Sequence, residues 1–560
     1  INEIFPDKDI PHGQPLRLRT FDLAFYPEER GPYNFDVEGS DVSSGLNSDG
    51  ELEAPETRWG GIVREIQTND FEEANIEFLE FWMMDPFIED PLSSGGDFYI
   101  NLGNVSEDIL KDSRKSYENG LPIDGDEGNV DTTAWGRVPS VQALVTAFNS
   151  GETARELQDV GIDGMDDDME RSFIAFEGGE TTSYLDRVIA LHGESSNAYV
   201  KANNDPAADN YHFYYGDDYD SQEKGILERY KKFNGLDGNS PIDQDSQSSY
   251  TQLPDVEDIN SDYTLSETES YYQYKISMRP QDIGQVGENY ITSIIENTGP
   301  NSDTRWIQFK VPIRSFDKKI GSLPDFKSIR FMRMFMTGFE NPTVLRFATL
   351  DMVRGEWRKY LNSLIEPGAP IENEETMFDI SVVNLEENGR REPIKYVLPP
   401  GIERERILGS TTLQQQNEQS ISFKICDLQD GDARGTFKNV TMDMRTYNKI
   451  KFFVHAEETD PAFPLNDNDL ILLSRYVKGA SDKRVFIRVF CSKLINLFCR
   501  IILGGKIKDY NGNLTIQPGA FKYKSPCPPD GSHTYEWTIT AIGDKKKKLG
   551  KAKATREYPE

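Results

Sequence analysis

Short runs of β-branched and aromatic residues, each bounded by Asp, Gly or Pro, recur along this chain and predict strands. Residues 58–103 hold three: RWGGIVREIQTND, NIEFLEFWMMDPF and GGDFYINLG. The same grammar returns in YYQYKISMRP (271–280), TRWIQFKVPI (304–313), FKSIRFMRMFMTGF (326–339) and LRFATLDMVRGEWRKY (345–360). It returns again in ISFKICDL (421–428), FKNVTMDMRTYNKIKFFVHAEE (437–458) and RVFIRV (484–489). Irregular spacing between these blocks points to repeated architecture and not to a solenoid. The expected fold is mainly β: several β-sandwich, jelly-roll-like domains with helical and acidic-turn insertions.

Helical signals are fewer. Ser106 is placed to cap a helix that carries Glu107 and Asp108 in its first turn and stops at Gly120. A second helix is expected from near Pro139, with Val141, Leu144, Val145 and Phe148 at helical spacing and Gly151 closing it. A third runs from about Ser221 to Gly235. The expected organisation is an extended, turn-rich segment at 1–57 and a sandwich part with helices at 58–150. An acidic insertion follows at 151–262, then a second sandwich at 263–361, a linker at 362–375 and a third sandwich at 376–489. A tail occupies 490–560.

Composition sharpens this picture. With 61 basic and 95 acidic residues among 560, the net charge is -34, which excludes a general nucleic-acid binder because phosphates would be repelled. Aromatic residues at 11% set the chain apart from a disordered acidic polymer, which has too little apolar surface to offset the entropy of ordering. The last 77 residues hold 15 basic and 6 acidic side chains, so the sign reverses near residue 484. Such a reversal is expected at a domain boundary or a joint between unrelated sequences. The four cysteines, Cys426, Cys491, Cys499 and Cys527, match neither a disulfide framework nor a zinc pattern. The most apolar stretch, Val485 to Leu503, is broken by Arg488, Lys493, Asn496 and Arg500, so no transmembrane helix is expected. Beginning at Ile1 without a basic and apolar leader, the sequence reads as a piece of a longer chain.

No nucleophile elbow, phosphate loop, dinucleotide fingerprint or zincin motif occurs, and the five histidines are far apart in sequence. A catalytic role is therefore not expected. Two acidic segments approach the twelve-residue calcium loop D-x-[DN]-x-[DN]-G-x5-E. In DVGIDGMDDDME, Asp159, Asp163, Gly164, Asp167 and Glu170 take positions one, five, six, nine and twelve, but Gly161 leaves position three without a ligand. In DINSDYTLSETE, Asp258, Asn260, Asp262, Thr264, Ser266 and Glu269 take positions one, three, five, seven, nine and twelve, with Tyr263 where Gly is needed. Both are read as candidate Ca²⁺ ligand sets that would stiffen the fold rather than sense calcium; the alternative for each is an acidic surface turn. The aromatics are read as inter-sheet core, the alternative being a sugar-stacking platform using Trp59, Trp82 or Trp306.

The segments GPYNFDV (31–37), NIEFLEFWMMDPF (75–87), GGDFYINLGNVSEDIL (95–110) and GILERYKKFNG (225–235) together resemble the SprA/Sov family of Bacteroidota gliding motility and type IX secretion. PDVEDIN (254–260), WIQFKVPI (306–313), IRFMRMFMTGF (329–339) and DMRTYNKIKFFVHAEE (443–458) continue the resemblance in the same order, to about residue 489. It implies a fragment of a very large outer-membrane β-barrel translocon, located at the outer membrane or cell surface. Its partners would be other translocon subunits and secreted cargo. The long polar stretches fit folded insertions better than barrel wall. Beyond 489 the resemblance is expected to stop, as at a frameshift or join. There PGAFKYKSPCPPDGSHTYEWTITAIG (518–543) resembles the phosphatidylethanolamine-binding protein family. That short likeness, over about 518–554, implies His533 as a ligand-binding residue, although the motif that completes the family's pocket is absent. A cell-surface carbohydrate-binding or adhesive module is the rival reading.

Overall fold

The computed structural model describes residues 1–5, 8, 10, 15–39, 43–108, 121–122, 127–133, 136–140, 148–149, 151–174, 181–233, 257–298, 303–360, 376–390, 395–399, 402–404, 415–428, 432–439, 453–458, 470–478, 483–491, 497–504, 533–542 and 548–558. The chain divides into two compact units, residues 19–353 and residues 1–18 with 354–560. It is mainly β, with antiparallel sheets, few helices and no closed barrel among the described residues.

In the unit 19–353 the strands are β1 (Phe21–Phe25), β2 (Trp59–Glu65), β3 (Ile76–Met84), β4 (Gly96–Asn104), β5 (Val130–Thr132) and β6 (Arg137–Pro139). They continue as β7 (Ser270–Met278), β8 (Ile291–Thr298), β9 (Asp303–Pro312), β10 (Lys318–Ile320), β11 (Phe331–Thr337) and β12 (Thr343–Arg354). Two five-stranded sheets result, ordered β1-β12-β3-β9-β8 and β10-β7-β4-β11-β2. The residues expected to make separate sandwiches at 58–150 and 263–361 therefore share the same two sheets. β3 pairs with β9, and β4 lies between β7 and β11. Alternation along a strand reveals its buried face but not its neighbour, so nonlocal pairing of this kind is invisible in the sequence.

β7 shows the alternation plainly: Tyr272, Tyr274, Ile276 and Met278 point inward while Lys275 is exposed. Across the interior, Phe81 of β3 stacks on Phe309 of β9 at 4.9 Å and meets Phe98 of β4, in the facing sheet, edge-on at 6.4 Å. One hydrophobic core thus spans both sheets. β3 is buried on both faces, because Trp82 opposite Gln308 is covered as fully as Phe81. Trp82 and Trp306 are interior residues, whereas Trp59 on edge strand β2 is 71% exposed. Two of the three planes of the suggested sugar platform are thereby shut off from solvent.

The insertion between the sandwich strands carries α1 (Glu152–Gln158), α2 (Asp167–Ser172), α3 (Tyr184–His192), α4 (Asn197–Asn204), α5 (Asp217–Ser221) and α6 (Ile226–Tyr230). A second core gathers Phe35, Val37, Leu46 and Leu52 from the turn-rich segment with Met165, Phe173, Tyr184, Val188, Ala198, Ala202 and Ala207. Ser221, where a helix to Gly235 was expected to begin, is the last residue of α5; Glu223 then takes a positive φ of 53°, and only α6 (Ile226–Tyr230) forms within the expected span. Pro139 closes strand β6 instead of opening a helix; Phe148 and Asn149 lie in no helix, and residues 141–147 of that expected helix, like most of the one from Ser106, lie outside the described residues. So does the linker at 362–375.

The other unit contains β13 (Arg358–Lys359), β14 (Met377–Asn384), α7 (Leu385–Asn388), β15 (Gln419–Leu428), β16 (Ala433–Asn439), β17 (Phe453–Glu458) and β18 (Leu470–Lys478). It continues with β19 (Lys483–Cys491), β20 (Leu497–Gly504), β21 (His533–Ile542) and β22 (Lys548–Tyr558). Two four-stranded sheets, β13-β16-β19-β18 and β14-β15-β20-β17, are joined by the hairpin β21-β22 as the third sheet of the unit. The expected break at 490 falls inside β19, and β20 sits between β15 and β17. The reversal of charge therefore marks no structural boundary. Backbone hydrogen bonding admits a strand of either net charge, so composition was a poor guide here. The described residues of the apolar stretch Val485 to Leu503 belong to these two strands, and no described helix is long and apolar enough to cross a membrane.

Candidate metal centre

The first acidic segment lies in a helix–loop–helix whose loop meets strand β6, the Arg137 N–H donating to the Asp163 carbonyl at 2.7 Å. Helix α1 ends at Gln158, and the Asp159 N–H closes it on the Arg155 carbonyl. Asp166 then caps α2 by accepting from the Met169 N–H, and Asp167, Asp168 and Glu170 crowd the positive end of that helix. Between the helices, Gly164 takes φ +71°, the sharp turn asked of position six, and Gly161 takes φ +94°.

The fold brings three carboxylates together. One ligand oxygen from each of Asp163, Glu170 and Asp209 lies within 4.8 Å of the others, and all three side chains are buried, at 2%, 0% and 1% exposure. Asp163 Oδ1 accepts from Met165 N–H at 3.0 Å and Glu170 Oε2 from Ala207 N–H at 2.9 Å. Asp209 Oδ2 accepts from Ile162 N–H at 3.2 Å, while its Oδ1 is buried with no hydrogen-bond partner. Burial first, then the neighbouring carboxylates of Asp205 and Asp167, pushes Asp209 up to about 7.

Of the other residues singled out in this segment, Asp159 is buried but stands outside the group of three. Asp167 also stands outside that group, bridging to Arg171 at 3.1 Å and accepting from the Asn210 side chain. Asp209 carries no motif of its own. The one trace of it in the sequence is the vacancy that Gly161 leaves at position three.

The second segment is organised differently. Asp258 spends both oxygens on the N–H groups of Asp262 and Tyr263, the latter at φ +63°. Asp262 accepts from Thr264 and from the Asn260 side chain and bridges to Arg330 at 3.3 Å. Glu269, placed at position twelve, instead holds Arg333 through two bonds of 2.9 and 3.0 Å and accepts from Ser106 N–H. Its charge is satisfied by a β11 guanidinium, a contact that spacing alone could not reveal. Asp258, Asn260, Asp262, Thr264 and Glu269 thus form a turn latched to Arg330, just before β11, and to Arg333 within it, and among the described residues no second gathering of three His, Cys or acidic ligand atoms occurs. Buried Glu107 accepts from Ser266 N–H at this turn. Burial, reinforced by Asp258 and Asp262, raises its pKa despite that bond.

Elsewhere in this unit, a cleft of about 290 Å³ is lined by Arg30, Lys201, Lys231 and Lys232. Its three lysines are matched by Glu51, Glu29 and Asp205, while Arg30 donates to the Asn34 carbonyl and lies over the Phe35 and Tyr184 rings. His455, in β17, contacts Glu457 Oε2 at 3.1 Å. His533 opens β21 opposite Tyr558, and the 518–532 stretch that would supply its pocket lies outside the described residues.

Against known families, residues 183–517 match SprA_N, described as motility related/secretion protein. The chain belongs to this family. The match of this SprA_N chain runs through β19 and β20 and past residue 489, where the resemblance was expected to end. No match supports the phosphatidylethanolamine-binding likeness at 518–554. No curated protein matches the chain.

Proposed function

We propose that this chain is a non-catalytic structural segment of the type IX secretion translocon, folded as insertions carried by an outer-membrane β-barrel at the cell surface. Membership of a motility and secretion family across 183–517 is the observation that carries the reading. The architecture supports it. Aromatic side chains are committed to the sheet interior, and the second acidic segment is committed to latching strands. Its partners are the other translocon subunits and the secreted cargo. The burial of Trp82 and Trp306 argues against the carbohydrate-binding alternative.

The test is made in the full-length parent. Deleting residues 59–104 or residues 303–354 in either case removes strands from both interleaved sheets of the same sandwich. Both deletions are expected to abolish appearance of cargo in the medium and surface gliding, with the barrel still inserted in the outer membrane. Normal secretion and gliding in either strain would contradict the proposal.

A further inference from the structure

We infer that Asp163, Glu170 and Asp209 hold one Ca²⁺ ion, with Asp209 supplying from a distant segment the ligand that Gly161 withholds from the loop. The argument begins with the vacancy. Position three of a calcium loop normally reaches the ion with a side-chain oxygen. A Cβ added to Gly161 would lie 2.3 Å from Asp209 Oδ2 and 3.2 Å from the Met165 carbonyl oxygen. The Asp209 carboxylate therefore occupies the space a position-three side chain would enter. The Met165 carbonyl, at position seven, where such loops use a backbone oxygen, converges on the same spot.

The independent indication of a ligand is Asp209 Oδ1. It is sealed from solvent in a side chain 1% exposed, meets no donor, and belongs to a carboxylate grouped with those of Asp163 and Glu170. A buried carboxylate oxygen left in that state carries an unrelieved desolvation cost, which a coordinated cation removes. Oxygens within 4.8 Å of one another can share one ion at the bond lengths of about 2.3–2.6 Å that Ca²⁺ adopts. Shorter bonds of about 2.0–2.1 Å in strict octahedral geometry make Mg²⁺ the poorer fit. The ion would fasten residues 205–211 onto the α1–α2 loop, beside the second core that contains Met165 and Ala207. Two N–H groups, of Ala207 donating to the Glu170 carboxylate and of Ile162 donating to the Asp209 carboxylate, already hold those segments in place.

The test is calorimetric titration of the whole EDTA-treated chain with CaCl₂, paired with melting curves in Ca²⁺ and in EDTA. The expected result is one strong Ca²⁺ per chain, a higher melting temperature in Ca²⁺, and weaker binding of Mg²⁺. Asp209→Asn should weaken Ca²⁺ binding at least about 10-fold. In EDTA, where it relieves carboxylate crowding, it should melt at or above the wild type, yet below it in Ca²⁺. A purely structural aspartate would not produce that crossover. Glu170→Asp, which keeps the charge, is the second variant and should also lose at least about 10-fold in affinity. Asp262→Asn should bind as the wild type does. Absence of both heat and a melting shift in the wild type overturns the inference. So does wild-type affinity in Asp209→Asn or Glu170→Asp, loss of binding in Asp262→Asn, or Mg²⁺ binding as tightly as Ca²⁺.

Discussion

Two side chains show how much one residue decides in this fold. Asp22 on β1 accepts two bonds from the Arg346 guanidinium of β12, at 2.9 and 2.8 Å, and a third from the Tyr230 hydroxyl of α6 at 2.7 Å. Burial alone would raise its pKa, but the Arg346 and Tyr230 hydrogen bonds outweigh it and hold the carboxyl below its ordinary value. A depressed carboxyl contributes stability above its unfolded value of about 3.9 and loses it as pH falls through the folded value. Asp22→Asn should therefore cost about 1–3 kcal/mol at pH 7, a gap from wild type that closes on acidification below about pH 4 in urea titrations. A gap independent of pH would show that the charge is not what stabilises. Gly96 is the other case. A Cβ there would stand 2.3 Å from the Phe339 ring, which is 1% exposed and has nowhere to turn. Gly96→Ala should destabilise by about 1–3 kcal/mol through overpacking, read as a lower urea midpoint with unchanged slope.

At the scale of elements, strands β2, β3, β4, β7, β9, β11, β12, β15 and β19 were legible, because apolar runs between turn residues carry their own signal. Helix α3 carries its own signals in the sequence. Ser183 caps it through the Asp186 N–H, Val188 lies on its buried face, and Gly193 stops it. What could not be read was partnership. Nothing in GGDFYINLG says that its neighbours come from 270–278 and 331–337, and nothing in residues 205–210 says that Asp209 completes a loop begun at 159. Strand β20 was misjudged for a different reason. Its basic, cysteine-containing sequence looked foreign, yet its backbone pairs Ile421–Ile425 of β15 on one side and Phe453–Glu458 of β17 on the other. Ending the chain at residue 491 should therefore strip hydrogen-exchange protection from both β15 and β17, while ending it at 504 should preserve it. Equal protection in the two truncations would remove β20 from the sheet.

For the whole molecule, the question is whether a net charge of -34 on 560 residues leaves one cooperative structure or two. Self-repulsion weakens compact states generally, and each unit must counter it with its own interior. In residues 19–353 that interior centres on Phe81, whose ring touches Phe309 and Phe347 of its own sheet and Phe98 of the facing one. In the other unit, Phe423 packs against Phe378 at 5.7 Å with Ile425 and Leu428 fully buried beside them. Separate cores predict separate transitions in scanning calorimetry. Phe81→Ala deletes the hub of one core and should cost about 3–5 kcal/mol. The transition of the 19–353 unit should fall by on the order of 5–10 °C while the other stays within about 1 °C. If Asp163, Glu170 and Asp209 hold Ca²⁺ as inferred, EDTA should lower that same transition and spare the other, because all three carboxylates lie in that unit. If both transitions fell together in Phe81→Ala, the two cores would be one cooperative body, and local repairs such as the Asp22 latch would then be felt across the entire chain.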